Sequence, residues 1–331
     1  MKNLKKSALV IFISALLIFV LAGCGKPAAE KTSESNPTIR VAALKGPTGM
    51  GMVGLMEADE RGETASDYTF LIMDSPDDLV GKIVSGDVDV AAIPTNLALV
   101  LYNKTQGALQ LAAVNTLGVL SVLENGDSIE TVADLKGKTI YTSGKGATPD
   151  YILHFLLKEN GLEEGDVTIN YSLQHAELAT SMAAGDVAVG LLPQPHVTTA
   201  MMKNNNLRIA LDITQEWSKV SNNNKLGMGA IVVRKDFVEK NKNSFDGFLQ
   251  EYEKSVRFVN EQVDDAAKLI TKYQILPGEA IAKKAIPKSN IVFIEAREAK
   301  PFLQEFYEIL FEANPKSVGG KLADDEFYYR K

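Results

Sequence analysis

Two observations predict an α/β fold with two lobes, each a mostly parallel sheet flanked by helices. From residue 38 onward, short apolar runs alternate with helical patterns, which is the order that builds βαβ units. An internal repeat relates 75–98 to 175–200: in both stretches a helical pattern ends at Gly-Asp-Val, and a strand then ends at proline. The length of 331 residues suits two such lobes.

The first 24 residues have the pattern of an export signal. Three lysines within the first six residues precede an apolar run at 8–21, which is shorter than the ~20 residues that a membrane-spanning helix needs. Leu21-Ala22-Gly23-Cys24 follows, and Cys24 is the only cysteine of the chain. We expect a signal peptide at 1–23, a lipidated Cys24 and a flexible tether at 24–37. An uncleaved membrane anchor is the alternative.

The apolar runs and helical periodicities locate the individual elements. Strands are expected at Ile39–Leu44, Tyr68–Met73, Val88–Ile93, Leu109–Asn115, Lys138–Tyr141, Val167–Tyr171, Val187–Leu192, Leu207–Leu211 and Gly229–Val233. Helices are expected at Met50–Arg61, Pro76–Ser85, Asn96–Lys104, Pro149–Asn160, Ala176–Ala184 and His196–Lys203, and further on at Phe245–Val259, Asp264–Tyr273 and Ala296–Phe311.

The strand predicted at Met228–Val233 is expected to return to the first lobe. Lobe one is then discontinuous, comprising 38–118 and 226–331, and lobe two spans 119–225. Two chain crossings, near Asn115–Val119 and Asn222–Gly227, would form a hinge. A plain surface loop is the alternative for the polar run at 221–224.

Composition and missing motifs exclude several classes of function. The formal net charge of −7 argues against general nucleic-acid binding, which needs a basic face. One cysteine and three scattered histidines provide neither a disulfide framework nor a recognisable metal site. The chain has no G-x-S-x-G, H-E-x-x-H or phosphate-loop motif. We therefore expect no catalytic residues, no metal and no cofactor.

One glycine motif leaves an alternative open. Gly49, Gly51 and Gly54 match the dinucleotide pattern G-x-G-x-x-G, and Asp74 follows at about the distance of a ribose-binding acid. The glycines begin five residues after the strand, however, whereas that pattern places its turn directly behind the strand. The favoured interpretation is that they allow close approach of a ligand and close helix packing.

Ligands of open α/β sheets bind beyond the carboxyl ends of the strands, where helices begin. Those places are Lys45–Met50, Pro94–Asn96, Lys145–Pro149 and Pro193–His196. The residues predicted to contact a ligand are Thr48, Gly49, Met50, Thr95, Asn96, Gly146, Thr148, Pro149, Gln194 and His196.

Four further candidates are Lys45, Asn115, Lys145 and Trp217. Each class of candidate has a plainer alternative: threonines as helix N-caps, lysines as solvated charges and Trp217 as a partly buried core residue. His154 is expected to be structural, and His175 is expected to cap a helix or lie on the surface.

Four stretches carry a family resemblance: the lipobox 21–24, the opening at 39–48, Ser85–Ala91 and Val132–Lys138, which has the typical start of a second lobe. Together they resemble the extracytoplasmic solute-binding proteins of ABC importers, nearest to the nitrate/sulfonate/taurine and thiamine-pyrimidine-precursor group. The resemblance implies a two-lobed type II periplasmic-binding-protein fold with a hinge. It also implies a monomeric lipoprotein that is anchored by its lipid to the outer face of a bacterial cell membrane.

On this resemblance the lobes close on a small polar or anionic organic solute, sulfonate-like or thiamine-pyrimidine-precursor-like. The protein would then dock on a permease driven by a cytoplasmic ATPase, with no enzymatic step and no nucleic acid. Two alternatives remain: an exported sensor of the same fold without a transporter, and an enzyme built on that fold.

Overall fold

The structure is a computed structural model that describes residues 37–221 and 225–331. The predicted signal peptide, Cys24 and all but the last residue of the tether lie outside the described residues, as does 222–224 of the predicted hinge. Among the residues described, none of the helices combines the length and apolarity that a membrane crossing requires.

Helices and strands alternate along most of the chain. The elements up to residue 117 are β1 (Ile39–Leu44), α1 (Pro47–Met50), α2 (Val53–Glu60), β2 (Tyr68–Met73), α3 (Pro76–Ser85), β3 (Val90–Pro94), α4 (Thr95–Lys104) and β4 (Leu109–Leu117). The next are β5 (Leu120–Asn125), β6 (Thr139–Tyr141), α5 (Thr148–Glu159), β7 (Thr168–Asn170), α6 (His175–Ala184), β8 (Val189–Pro193), α7 (His196–Lys203), β9 (Leu207–Asp212) and α8 (Ile213–Val220). The last are β10 (Gly227–Arg234), α9 (Lys235–Glu261), α10 (Val263–Lys272), α11 (Glu279–Ala285), β11 (Ile291–Glu295) and α12 (Ala296–Ala313).

The strands form two mixed sheets flanked by helices, which confirms the predicted α/β class. The first sheet has the order β11-β4-β10-β3-β1-β2, and the second has the order β7-β6-β8-β5-β9. In the described part of the first sheet, β1 to β4 share one direction while β10 and β11 run against it. In the second sheet only β5 is reversed among the described strands. As predicted, the strand near 228–233 returns to the first sheet, between β3 and β4.

The internal repeat corresponds to the same turn in both sheets. α3 and α6 each end at a glycine in the left-handed conformation, Gly86 at φ 80° and Gly185 at φ 88°. Glycine accepts a positive φ without a Cβ penalty, so it suits this helix end. The strands that follow, β3 and β8, each end at a proline, and each leads to the start of a helix.

Four elements were not predicted, and one predicted helix is divided. No helix or strand is predicted from the sequence at the positions of β5, β11, α8 and α11. The helix expected at Met50–Arg61 is two helices, α1 and α2, separated by Gly51 and Met52. β5 follows β4 after only two residues and is buried on both faces, so it lacks the alternating pattern that reveals an exposed strand.

One continuous apolar core includes side chains from both sheets, among them Ile93 of β3, Leu191 of β8 and Trp217 of α8. The first sheet has a second cluster on its other face, where Phe245 and Tyr252 of α9 pack. The two sheets are therefore connected by apolar packing as well as by the chain segments that pass between them.

Candidate functional site

The loops at the carboxyl ends of the strands meet between the two sheets, and we call this meeting line the seam. Thr148, at the start of α5, donates a hydrogen bond of 2.8 Å from its hydroxyl to the Asn96 side-chain oxygen of α4. Gly46, after β1, faces Pro195, after β8: a Cβ built on Gly46 would lie 3.9 Å from Pro195 Cδ. The structure thus brings together predicted loops from opposite sheets at two points.

The first-sheet side of the seam includes Thr48 and Asn115, which lie close to Gly229 of β10. A Cβ added to Gly229 would lie 2.5 Å from Asn115 Oδ1 and 2.9 Å from Thr48 Cγ2, so this position requires a glycine. Asn115 is fully buried, and its amide donates to Tyr252 Oη at 3.2 Å. Thr48 donates to the Leu44 carbonyl at 3.1 Å. The plainer alternative for Thr48, a helix N-cap, is not found, because Gly46 is the N-cap of α1 and no side chain caps that helix.

Thr95 is also engaged within the protein. Its hydroxyl donates to the Gly227 carbonyl at 2.8 Å, and its own carbonyl accepts from Tyr307 Oη at 3.0 Å. The residue is fully buried. The Thr95 hydroxyl therefore connects α4 to β10. The neighbouring Asn96 is half-buried, and its side chain forms the contact with the opposite sheet.

The remaining predicted contacts differ in accessibility. Gly49 and Met50 are buried in α1, and Gln194 is buried with its Oε1 accepting from the Thr198 hydroxyl at 2.7 Å. Gly146 is exposed, and its N–H donates to Asp150 Oδ2 at 2.7 Å. Pro149, half-buried, lies in the first turn of α5. Gly146 and Pro149 are therefore accessible to a ligand, whereas Gly49, Met50 and Gln194 are buried.

His196 has a neighbour that the sequence did not place at the site. Its ring centroid lies 5.6 Å from that of His175, and Ser143 Oγ lies 2.9 Å from His175 Nδ1. Burial lowers the pKa of His175 to about 4, with a further contribution from His196, and burial also lowers the pKa of His196. The expected role of His175 as a cap or surface residue is therefore wrong. His175 begins the helix that follows β7, the strand predicted at Val167–Tyr171. The strand-end rule, by which ligands bind beyond the carboxyl ends of strands, therefore also applies to this position.

The predicted lysines are not directed together toward a ligand. Lys45 forms an exposed ion pair with Asp74, with an Nζ–Oδ1 distance of 2.8 Å. Lys145 Nζ lies 5.6 Å from the Tyr171 ring centroid, where it lines a separate surface cavity of about 890 Å³ beside His154. The charges of Lys45 and Lys145 are therefore paired with other side chains of the protein.

Trp217 is a core residue. Only 1% of it is exposed, and its ring lies 5.1 Å from Phe155 and 5.8 Å from Phe306, measured between centroids. Phe155 belongs to α5 and Phe306 to α12, so the indole joins helices of the two sheets. This burial does not fit the candidate role of Trp217 as a ligand contact and favours the alternative of a core residue.

The glycine motif after β1 serves packing. A Cβ on Gly49 would lie 2.5 Å from the Leu44 carbonyl oxygen, one on Gly51 would lie 2.7 Å from Tyr252 Oη, and one on Gly54 would lie 2.9 Å from Ser255 Oγ. These contacts fill the space through which a pyrophosphate would approach the backbone. The dinucleotide alternative has no support in this geometry, and Asp74 is paired with Lys45.

No group of three or more His, Cys, Asp or Glu side chains in 37–221 and 225–331 could hold a metal ion. The third histidine, His154, lies apart from the seam and pairs with Asp150, at 3.3 Å from Nε2 to Oδ1. That hydrogen bond to the carboxylate raises the pKa of His154, in contrast to the two seam histidines.

A sequence model of a protein family described as menaquinone biosynthesis matches residues 50–297, which is most of the chain. The chain belongs to this menaquinone biosynthesis family. No curated protein matches the sequence. The family description differs from the nitrate/sulfonate/taurine group that the sequence resembles, so assignment to that narrower group remains a prediction.

Solved structures show the fold of this family member. An ABC transporter structure from Parabacteroides distasonis is 22% identical with a TM-score of 0.75, over 89% of this chain and 99% of that one. The periplasmic aliphatic sulphonate-binding protein of Escherichia coli is 18% identical with a TM-score of 0.69, over 88% and 92% of the two chains. A Candida albicans gene product, described as having the generic periplasmic binding protein fold, is 16% identical with a TM-score of 0.58, over 88% and 93%. The resemblance to solute-binding proteins is confirmed at the level of the fold.

Proposed function

We propose that this protein is the extracytoplasmic substrate-binding lipoprotein of an ABC importer. It closes two lobes on a small polar or anionic organic solute and delivers that solute to a permease with a cytoplasmic ATPase. The observation that carries the proposal is the contact of Asn96 with Thr148, because a solute between these loops would be touched from both sheets at once. The fold and the family's solved neighbours support the same function.

Closure follows from differential binding. We take 38–118 with 226–331 as one lobe and 119–225 as the other, joined where β4 passes to β5 and where the chain returns to β10. Gly227 pairs with Leu117, so the described ends of the two crossings lie side by side. A solute that contacts both lobes stabilises the closed arrangement over the open one, and the permease can then recognise the closed form.

The chemistry of the seam favours a small organic solute held mainly by hydrogen bonds. Asn96, Thr148 and His196 offer amide, hydroxyl and imidazole groups. Lys45 and Lys145 are occupied outside the seam. Sulfonate-like and thiamine-pyrimidine-precursor-like molecules are the two solute classes that we propose.

An enzyme on the same fold is the second candidate, and the biosynthetic description of the family favours it. The structural feature in its favour is Ser143, whose Oγ lies 2.9 Å from His175 Nδ1. A hydroxyl beside a neutral imidazole is the arrangement that proton transfer needs. The two candidates differ in one measurable property, because only the enzyme changes the molecule that it binds.

Native mass spectrometry of the full chain, purified without added ligand, tests the proposed function. We expect one small-molecule adduct that the double variant Asn96→Ala/Thr148→Ala loses and the surface control Thr180→Ala keeps. A bound mass that changes on incubation would favour the enzyme. Absence of any adduct, together with a solution-scattering radius that added sulfonates and pyrimidines leave unchanged, would contradict the binding proposal.

Membrane attachment is tested separately, through Cys24. We expect the chain to incorporate labelled palmitate in bacterial cells and to fractionate with membranes. Cys24→Ser should abolish the label and release the protein. If the serine variant keeps its membrane association, an uncleaved anchor is the better explanation.

A further inference from the structure

Three neighbouring strands of the second sheet each lead to one residue of a small cluster. Ser143 follows β6, His175 begins α6 after β7, and His196 begins α7 after β8. The spatial order β7-β6-β8 places these strand ends side by side. We call Ser143, His175 and His196 the imidazole cluster; the ring centroids lie 5.6 Å apart, and Ser143 Oγ lies 2.9 Å from His175 Nδ1.

The imidazole cluster borders the seam. His196 directly follows Pro195, which faces Gly46 of the opposite sheet, and Ser143 precedes the loop that leads to Thr148. Both histidines are half-buried, so they remain accessible to a small molecule but are partly withdrawn from water. Ser143 is buried and its Oγ also lies 3.1 Å from His175 Nε2, so a solute in the seam would meet the two rings while the serine hydroxyl holds the His175 ring.

Both rings are neutral near pH 7, because burial lowers the pKa of His175 to about 4 and also lowers the pKa of His196. The elements around them carry charged residues: Lys145 on the loop after β6, Glu177 in α6, Lys203 in α7, Lys45 and Asp74 across the seam, and Glu279, Lys283 and Lys284 in α11, which packs on α7. Burial is the first cause of both shifts, with His196 adding a charge effect on His175, and among the histidines of the described residues only His154 is ion-paired with a carboxylate. The described surroundings of the pair thus supply no counter-charge for an imidazolium.

We propose that the imidazole cluster receives the acidic group of an organic anion, a carboxylate or sulfonate, and that the histidine pair takes up one proton as this anion binds. The inference rests on the proposed function and narrows its solute class. The incoming anion would provide the missing counter-charge and would accept a hydrogen bond from an imidazolium N–H, while Ser143 Oγ keeps the His175 ring in place. The proton comes from solvent and is added to a ring nitrogen, and no bond of the solute is broken.

One proton is expected rather than two. Two imidazolium ions at this separation repel each other, and the second protonation is correspondingly disfavoured. The pair would therefore titrate as a coupled unit that gains a single positive charge. The consequence is a solute affinity that rises as the pH falls.

The chain contains its own control. It has three histidines, and His154 lies outside the seam with its pKa raised by the bond to Asp150. Imidazole signals in a nuclear magnetic resonance spectrum of the full chain can be assigned with His154→Gln, His175→Gln and His196→Gln. A titration then reports the two seam rings and the control ring in one sample.

The test uses propane-1-sulfonate, benzoate and the neutral isostere benzamide as probes. We expect at least one anion to raise the pKa of a seam histidine by about one unit, without moving His154. The affinity for that anion should rise as the pH falls from 8 towards 4 and approach a tenfold gain only below the pKa of the free ring, since one pKa unit corresponds to about a tenfold change in an equilibrium constant. Benzamide should show no such dependence. His175→Gln and His196→Gln should flatten the dependence, and His154→Gln should preserve it.

Three outcomes would overturn the inference: neither anion binds at millimolar concentration, binding is independent of pH, or the seam variants keep the pH dependence while circular dichroism shows them folded. A neutral molecule found by native mass spectrometry would also overturn it, but the solute-binding function would stand. Failure of that function has a different signature, namely no adduct and no closure.

Discussion

Among the contacts between the two sheets, two have opposite chemistry. On one side, Trp217 lies between Phe155 and Phe306 and is almost completely buried. At the seam, the contact is a hydrogen bond of 2.8 Å between Thr148 and the half-buried Asn96.

This difference indicates which contact can open. The aromatic contact derives its stability from the removal of apolar surface from water, so separating the rings loses that stabilisation. Thr148 and Asn96 can each form a hydrogen bond with water or a solute instead of with each other, at a net cost of about 1 kcal/mol. We infer that the aromatic contact stays closed as a pivot, and that the seam opens.

The largest effect is expected at the pivot. Trp217→Ala should lower the free energy of unfolding by about 3–5 kcal/mol, the range for truncating a buried aromatic side chain. Circular dichroism in denaturant measures this, since the variant loses the only tryptophan of the chain.

Trp217→Phe is the matched control for this prediction. The indole N–H has no hydrogen-bond partner within the described part of the chain, so phenylalanine removes apolar area but no hydrogen bond. Its cost should be clearly smaller than that of alanine. A loss below about 1 kcal/mol for Trp217→Ala would show that the aromatic contact is not the stabilising one.

The second effect concerns the acid side of the stability profile. The pKa of His175 is about 4 in the folded protein, against an ordinary value of about 6.5. Between these values the unfolded chain binds the proton and the folded chain does not, so stability falls as the pH falls through this window. The shift corresponds to about 3 kcal/mol at most, measured as the free energy of unfolding of the ligand-free protein.

His175→Gln should flatten this slope, and His154→Gln should leave it. His154 acts in the opposite sense: its raised pKa gives a stabilisation that is complete below about 6.5 and is lost as the pH rises through its folded value. Equal acid slopes in the wild type and His175→Gln would mean that His175 is protonated as readily in the folded protein as in the unfolded chain.

Local patterns were sufficient to predict most of the fold. Pro76–Ser85 is found as predicted because a proline at the first turn and Gly86 at the end mark both limits of the helix. The return of β10 to the first sheet was also predicted. β5 and β11 were missed because their strand pairing depends on distant segments, and a short buried run does not reveal its partner.

The candidate site was predicted as a set of loops rather than as a set of contacts. The strand-end rule placed Asn96 and Thr148 in different loops, and only the packing of the two sheets brings their side chains within 2.8 Å. The same rule missed Ser143 and His175 although both preceding strands were predicted: the loop after β6 was expected to begin at Lys145, and His175 was expected to cap a helix or lie on the surface. Thr95 is the opposite case, because it was predicted to contact a ligand but its hydroxyl donates a hydrogen bond to the Gly227 carbonyl. Nothing near Thr95 in the sequence indicates this distant partner.

The smallest change in stability, and the one that best separates the two contacts, is expected from removing the seam hydroxyl. Thr148→Val keeps the shape of the side chain and removes its bond to Asn96, which can turn to water instead. The free energy of unfolding should change by about 1 kcal/mol or less, while the solution-scattering radius of the ligand-free protein increases. Thr95→Val is the control: it removes a buried bond of the same length within one sheet, so it should cost about 1–3 kcal/mol and leave the radius unchanged. If both variants keep the wild-type radius, the seam does not govern opening, and the contact of Asn96 with Thr148 is only one more structural hydrogen bond.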